Sequence, residues 1–116
     1  MSRGERLRAL RATKELGGFS KAKLHSLLPH LDELRVAPGE QLAHEGRPCH
    51  HFLVVASGLL ETCRQGRAGK LGPGDSFGWH AMHDRGVNDA SVSAMSAANL
   101  LVMSHEQFRA VIGLTI

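Results

Sequence analysis

The chain has 116 residues, with 14 lysines and arginines, 11 aspartates and glutamates, eight histidines and a formal net charge of +3. This length suits one domain with its own hydrophobic core. The longest apolar runs, 52–56 and 97–103, are far shorter than the ~20 residues that span a bilayer, and no signal peptide is visible. Two cysteines, Cys49 and Cys63, do not make a disulfide framework, so we expect reduced thiols in a cytoplasmic protein.

The basic charge is concentrated at the N-terminus. Residues 1–23 contain seven basic and two acidic residues, whereas the rest of the chain contains seven basic and nine acidic residues. No aromatic residue lies between Arg3 and Lys14, and no Cys/His zinc-finger spacing occurs. We therefore expect no direct nucleic-acid contact. The basic segment is interpreted either as a solvated helix face or as a docking face for an acidic partner.

Two helices are predicted at the start of the chain. Residues 1–16 are predicted as a basic N-terminal helix, with the helical pattern over 3–16 and an end at Gly17-Gly18. Residues 17–116 are assigned to the main domain. Its first helix is predicted to begin at the N-cap Ser20, to bury the leucines that recur through 24–31, and to kink or end at Pro29.

After residue 33, short apolar segments alternate with glycines and prolines. This texture predicts about seven or eight strands in a sandwich, jelly roll or barrel. The predicted segments are 34–36, 41–44, 52–56, 59–64, 70–71, 91–95 and 99–103. Ser57-Gly58 is interpreted as a hairpin turn. A last helix is predicted from 105 to about 114, capped by Ser104, with Phe108, Val111 and Ile112 facing inward.

An ordered set of turn motifs resembles the cyclic nucleotide-binding domain family, which includes the sensor domains of the catabolite activator protein and of the protein kinase A regulatory subunit. The motifs are Pro38-Gly39-Glu40, Glu45-Gly46, Ser57-Gly58, Gly72-Pro73-Gly74-Asp75 and Phe77-Gly78, followed by 90–94 and 100–102. The resemblance covers about residues 17–112. It implies a mainly β domain, an eight-stranded β-roll or jelly roll with N-terminal helices and a short C-terminal helix. It also implies a non-catalytic regulatory or ligand-sensing role in signalling.

The resemblance implies a ligand site in a short phosphate-binding cassette opened by the Phe-Gly dipeptide. The matching residues are Phe77, Gly78, Trp79, His80, Ala81, Met82, Asn88, Ala90 and Ser91. In the family, a glutamate after Phe-Gly binds the ribose 2′-hydroxyl and a later arginine pairs with the cyclic phosphate. Here these positions hold Trp79 and Asn88, so the cassette is degenerate. Two lost charged hydrogen bonds of about 1.5–3 kcal/mol each would weaken cAMP or cGMP binding by roughly a hundredfold to ten-thousandfold.

Trp79, the only tryptophan of the chain, allows two interpretations. It either fills the empty ribose site and closes the pocket, or stacks on a different planar ligand. The expected ligand is therefore a cyclic nucleotide bound weakly, another small molecule, or none. Arg85, three residues before the arginine position, would replace the missing cation only if its loop refolded.

Two other function classes stay open beside the sensor module. One is a closed-pocket protein-interaction or dimerisation domain. The other is a metal-dependent, cupin-like β-roll enzyme, with His80 and His83 at i, i+3 as candidate ligands. The His-x-His pair and following glutamate typical of cupins are absent, so we expect no metal and no catalytic residue. The chain ends directly after its last predicted helix, so either it is a piece of a larger protein or the domain stands alone. We expect a protein partner or an appended output domain.

Overall fold

The computed structural model describes residues 1–115, and the side chains of residues 1–111. Within these residues, eight strands and four α-helices occur. The helices are α1 (Arg3–Ala12), α2 (Lys21–Leu27), α3 (Trp79–Asp84) and α4 (His105–Thr115). The strands are β1 (Asp32–Val36), β2 (Gln41–Ala43), β3 (Phe52–Ser57), β4 (Leu60–Arg64), β5 (Arg67–Leu71), β6 (Ser76–Phe77), β7 (Ser91–Ala94) and β8 (Ala98–Met103). The predicted eight-stranded roll with flanking helices is confirmed.

The strands form two four-stranded antiparallel sheets. Their orders are β1-β8-β3-β6 and β2-β7-β4-β5. The inner faces of the two sheets enclose an apolar core, because alternate strand residues point to the same side. This core includes Val36, Leu53, Val55, Leu60, Phe77, Val92 and Leu100.

A second core lies between the helices and the first sheet. It contains residues of all four helices and of β3 and β8, among them Leu10, Leu16, Leu24, Phe52, Met82, Leu101 and Phe108. Leu10 and Leu16 are fully buried in it. The basic helix α1 thus shares one hydrophobic core with the rest of the described chain. No helix among the described residues is long and apolar enough to cross a membrane.

The first helix ends four residues earlier than predicted. Thr13 has an extended backbone, and its hydroxyl donates to the Leu10 carbonyl at 2.7 Å and accepts from the Leu16 amide at 3.2 Å. These side-chain bonds replace helical backbone bonds, the competition typical of threonine. The predicted cap of the next helix is confirmed, because Ser20 Oγ accepts from the Lys23 amide at 3.2 Å. Pro29 lies in a 3₁₀ turn, Leu28–His30, that follows α2.

Ser57-Gly58 is not a hairpin turn, contrary to the prediction. β3 pairs with β6 and β8, whereas β4 pairs with β5 and β7, so this turn passes the chain from one sheet to the other. Gly58 has a φ of +90°, and a Cβ there would lie 2.5 Å from the Ala97 carbonyl oxygen. The turn therefore requires glycine because β8 passes directly against it.

The remaining differences lie in the short edge strands. β6 has only two residues and was not predicted. β5 begins at Arg67, whereas the sequence pattern predicted a strand only over 70–71. Arg67 and Ala68 belong to the strand because they pair with β4, which no local apolar pattern reveals. At the C-terminal end, Ser104 caps α4, and Phe108 and Val111 are buried as predicted. The side chain of Ile112 lies outside the described residues.

Candidate ligand-binding cleft

A cleft of about 740 Å³ lies beside the start of α3. Its wall is built from the residues that open the cassette, the turn before β6, the ends of β4 and β5, and the loop after α1. Five of the nine residues predicted for the site line this cleft. They are Phe77, Gly78, Trp79, His80 and Ala81. The volume is within the range of roughly 300–1,000 Å³ that is usual for small-molecule sites.

Gly78 sets the geometry at the start of α3. Its φ is +100°, and a Cβ there would lie 2.7 Å from the His51 carbonyl oxygen. Its carbonyl accepts the first helical bond, from the Met82 amide at 2.9 Å. A glycine is needed because the chain must turn sharply while it lies against the segment before β3.

Trp79 lies between the cleft and the second core. Its ring meets Phe52 edge-on at a centroid distance of 5.3 Å and Phe108 at 5.1 Å. These are favourable T-shaped aromatic arrangements. The indole is half-buried, and its remaining surface lines the cleft. Trp79 thus connects the cleft directly to Phe108 of α4.

Asn88 does not line the 740 Å³ cleft. It is 7% exposed, and its Nδ2 donates to the His44 carbonyl at 3.0 Å. Its backbone amide donates to the Arg47 carbonyl, and its own carbonyl accepts from the Gly46 amide. The position that the resemblance assigns to the phosphate arginine is therefore committed to the β2–β3 loop. Asn88 lines a separate cavity of about 410 Å³.

The last three predicted site residues have structural contacts instead. Met82 is buried in the second core and Ala90 in the core between the sheets. Ser91 Oγ accepts from the Glu45 amide at 3.0 Å, which fastens the β2–β3 loop to β7. Neither Met82 nor Ala90 lines the cleft.

The cleft is also lined by charged residues that sequence reasoning did not assign to the site, among them Arg64 and Glu15. Arg64, at the end of β4, places Nη2 at 2.7 Å from Asp89 Oδ2 and donates from Nε to the Asp89 carbonyl at 3.2 Å. Glu15, in the loop after α1, accepts from Ser76 Oγ at 2.8 Å. Only the register that places Cys63 opposite Ser91 brings Arg64 next to Asp89, so no local signal could have found this pair. Arg85 is exposed at the end of α3 and is not part of the cleft.

The cleft carries more negative than positive groups. Its carboxylates are Glu15, Asp75, Asp84 and Asp89, and its cations are Lys14 and Arg64. The interaction energy between a ligand charge and each of these groups is larger inside a cleft than on an open surface, because the local dielectric constant is lower. The lining as a whole is less suited to a phosphate than a cassette with a free arginine.

The histidine pair of α3 does not gather further metal ligands. His80 and His83 are exposed, and His83 Nδ1 lies 3.6 Å from Asp84 Oδ1. In the part of the chain that the structure describes, no group of three or more His, Cys, Asp and Glu side chains is arranged to hold a metal ion.

Both cysteines are free thiols, and their surroundings differ. Cys49 is buried beside Gly78, and its Sγ donates to the His51 carbonyl. Burial raises the pKa of the Cys49 thiol, which favours the neutral thiol over the reactive thiolate. Cys63 is exposed on β4.

A family model described as "Cyclic nucleotide-binding domain" matches residues 33–113. The chain belongs to the cyclic nucleotide-binding domain family. The match includes the whole cassette and every strand except the first residue of β1. The domain is similar to a cAMP-dependent protein kinase regulatory subunit of Yarrowia lipolytica, at 28% identity over 83% of this chain and 26% of the relative. It is also similar to the cGMP-dependent protein kinase egl-4 of Caenorhabditis elegans, at 29% identity over 78% of this chain and 12% of the relative.

Solved structures show the same fold. The regulatory domain of Toxoplasma gondii PKA with cAMP superposes with a TM-score of 0.83 at 24% identity, over 96% of this chain and 46% of that chain. The catabolite activator protein of Thermus thermophilus gives a TM-score of 0.74 at 25% identity, over 83% of this chain and 48% of that chain. This cyclic nucleotide-binding domain thus spans less than half the length of each of these relatives.

Proposed function

We propose that the chain is a non-catalytic regulatory module that senses a small ligand and binds cAMP or cGMP only weakly. The observation that carries this is the state of the two key cassette positions. A cleft lies beside the cassette, but Asn88 is bonded to the β2–β3 loop, and Trp79 packs on Phe52 and Phe108. Neither position offers the charged partner that a cyclic phosphate or a ribose needs to offset desolvation.

The charge of the cleft supports weak nucleotide binding. A cyclic phosphate would meet four carboxylates, and the Arg64 guanidinium is already paired with Asp89. Binding would need rearrangement of that ion pair, which costs free energy that a free arginine would not. We expect a dissociation constant well above the micromolar range.

The contact between Trp79 and Phe108 supplies a route for output. A ligand that shifts the indole changes the packing of α4, because the two rings are in direct contact. α4 would pass this change to a protein partner or to an appended output domain. The free thiols suit a reducing compartment such as the cytoplasm.

Trp79 itself provides the test, because it is the only tryptophan and it lines the cleft. We would titrate the full chain with cAMP, cGMP and cyclic dinucleotides, following tryptophan fluorescence and heat release in parallel. Trp79→Phe controls for signals that do not arise from the cleft. The proposal expects saturable binding weaker than micromolar for cAMP and cGMP. Sub-micromolar cAMP binding would contradict the degenerate cassette.

The second candidate is a closed-pocket protein-interaction or dimerisation domain. It is supported by the aromatic packing of Trp79, which occupies part of the space beside α3. It is also supported by the exposed side chains of Arg8, Arg11 and Lys14 near the end of α1. This candidate expects no thermal shift with any nucleotide, together with an oligomer or a complex detected by light scattering.

A further inference from the structure

The 410 Å³ cavity lies apart from the cleft, between β2, the β2–β3 loop and the start of β3. Its floor is buried and mostly apolar, with Leu53 at 4% exposure and Phe77 at 9%. Five exposed residues form its rim: Pro48 and the four polar residues His44, Arg47, His50 and His51. Phe77 lines both cavities and therefore belongs to the wall between them.

The polar side chains of the rim are one arginine and three histidines, which supply a fixed positive charge and several hydrogen-bond donors. No aspartate or glutamate occurs among the residues that line the cavity, all of which lie in the described part of the chain. The two nearest carboxylates in the sequence are committed elsewhere. Glu45 accepts from the Gln65 amide at 3.1 Å and 3.2 Å, and Asp89 holds Arg64. This contrasts with the acidic cleft on the other side of Phe77.

Arg47 is the fixed positive charge of the rim. Its backbone is anchored, because its carbonyl accepts from the Asn88 amide at 2.8 Å and its amide donates to the His44 carbonyl at 3.2 Å. Its guanidinium forms no salt bridge with any described residue. A guanidinium has five donors in a planar fork that matches a carboxylate.

The histidines add donors to the same rim. Gln41 Nε2 lies 3.2 Å from His44 Nδ1. When the amide donates across this contact, a neutral His44 carries its proton on Nε2 and can donate from it. The site thus combines a buried apolar floor with several donors and one permanent cation at its mouth.

We propose that this cavity binds a small amphiphilic monoanion, a carboxylate with a short apolar body. The carboxylate pairs with Arg47 and the rim imidazoles, and the apolar body lies against Leu42, Leu53 and Phe77. A cavity of this volume falls at the small end of ligand sites, which suits an acid of this kind. The site is distinct from the cleft of the proposed function, and it does not depend on nucleotide binding there.

The test compares three probes of equal chain length: octanoate, octanol and octylamine. Each is titrated into the isotopically labelled full chain at fixed ionic strength, with backbone amide shifts followed by NMR. Octanoate is expected to shift amides of residues 44–51 and to bind about tenfold more tightly than octanol, the lower end of the range for a charged hydrogen bond, since Arg47 is exposed. Equal affinity for the three probes, absence of octanoate binding, or shifts confined to 78–81 would overturn the proposal.

Arg47→Gln is expected to weaken octanoate binding about tenfold and to leave octanol binding unchanged. Arg47→Lys keeps the positive charge and is expected to retain most of the affinity. Arg67→Gln, on the exposed strand β5 and outside the cavity, is the matched control and is expected to bind like the natural chain. Unchanged octanoate affinity in a folded Arg47→Gln variant would overturn the assignment of Arg47.

Discussion

At the residue scale, Trp79 shows how one substitution changes a site. Where the family resemblance implies a carboxylate, this chain has a large aromatic ring that packs on Phe52 and Phe108. The position therefore supports the core as well as the cleft. We therefore expect substitution of Trp79 to lower the free energy of unfolding as well as to change ligand binding.

Trp79→Ala is expected to lower the free energy of unfolding by about 2–3 kcal/mol, less than the loss for a fully buried tryptophan because the indole is half-buried. Trp79→Phe keeps an aromatic ring against Phe108 and is expected to lose less. Urea unfolding followed by circular dichroism measures both. An unchanged midpoint for Trp79→Ala would show that the aromatic contacts contribute nothing.

Gly78 is important for its backbone conformation, because it has no side chain to make contacts. Gly78→Ala introduces a Cβ at 2.7 Å from the His51 carbonyl oxygen in a backbone with φ +100°. We expect a loss of about 2 kcal/mol or more, from strain and from displacement of the segment before β3. Gly18→Ala is the matched control, since a Cβ there meets nothing within 4 Å, and should change stability little. Similar melting temperatures for the two variants would contradict this account.

His51 gives the protein a specific pH dependence. Partial desolvation, and then the charges of His50 and His105, lower the pKa of His51 below its usual 6.5. The unfolded chain therefore binds a proton at His51 more readily than the folded chain does. The free energy of unfolding is unaffected by this group above pH 6.5, where His51 is neutral in both states, and it decreases as the pH falls below 6.5. The free energy of unfolding of the natural chain should fall more between pH 7 and pH 5 than that of His51→Gln. Parallel curves for the two proteins would contradict the assignment.

At the element scale, the loop after α1 positions one wall of the cleft. Thr13 ends α1 with two side-chain hydrogen bonds, and the chain then places Glu15 beside Ser76 and buries Leu16. The early end of α1 is thus what brings Glu15 to the cleft. A helix that continued to residue 16 would carry the carboxylate elsewhere.

Thr13→Val keeps the shape of this buried side chain and removes both hydrogen bonds. It leaves the buried Leu16 amide without its acceptor, whereas the Leu10 carbonyl keeps the Thr13 amide as a donor at 3.1 Å. We therefore expect a loss of about 1–3 kcal/mol by urea unfolding. Thr62→Val on β4 is the control and should be nearly neutral, because strands favour valine. Equal effects of the two changes would show that the Thr13 hydroxyl does not hold this turn.

At the scale of the whole molecule, the distribution of charged groups over the folded surface differs from their distribution along the sequence. Arg3 is bonded to His25, and Arg6 donates to the Leu31 carbonyl, so half of the four arginines of α1 hold the helices together. Arg8 and Arg11 stay exposed and available to an acidic partner. Across the roll, Phe77 separates an acidic cleft from a cavity with a cationic rim. The net positive charge of the chain therefore does not predict which charged groups line either cavity.

The sequence by itself determined a mainly β class with flanking helices and the caps at Ser20 and Ser104, because turn glycines, caps and apolar periodicity act within a few residues. The eight-stranded roll and the segment 77–81 were implied by the family resemblance that the ordered turn motifs carry. The tertiary structure alone decided that Ser57-Gly58 joins two sheets, that Asn88 faces the β2–β3 loop, and that Arg64 and Glu15 reach the cleft. Each of these depends on strand register and on packing between distant segments, which no local pattern encodes.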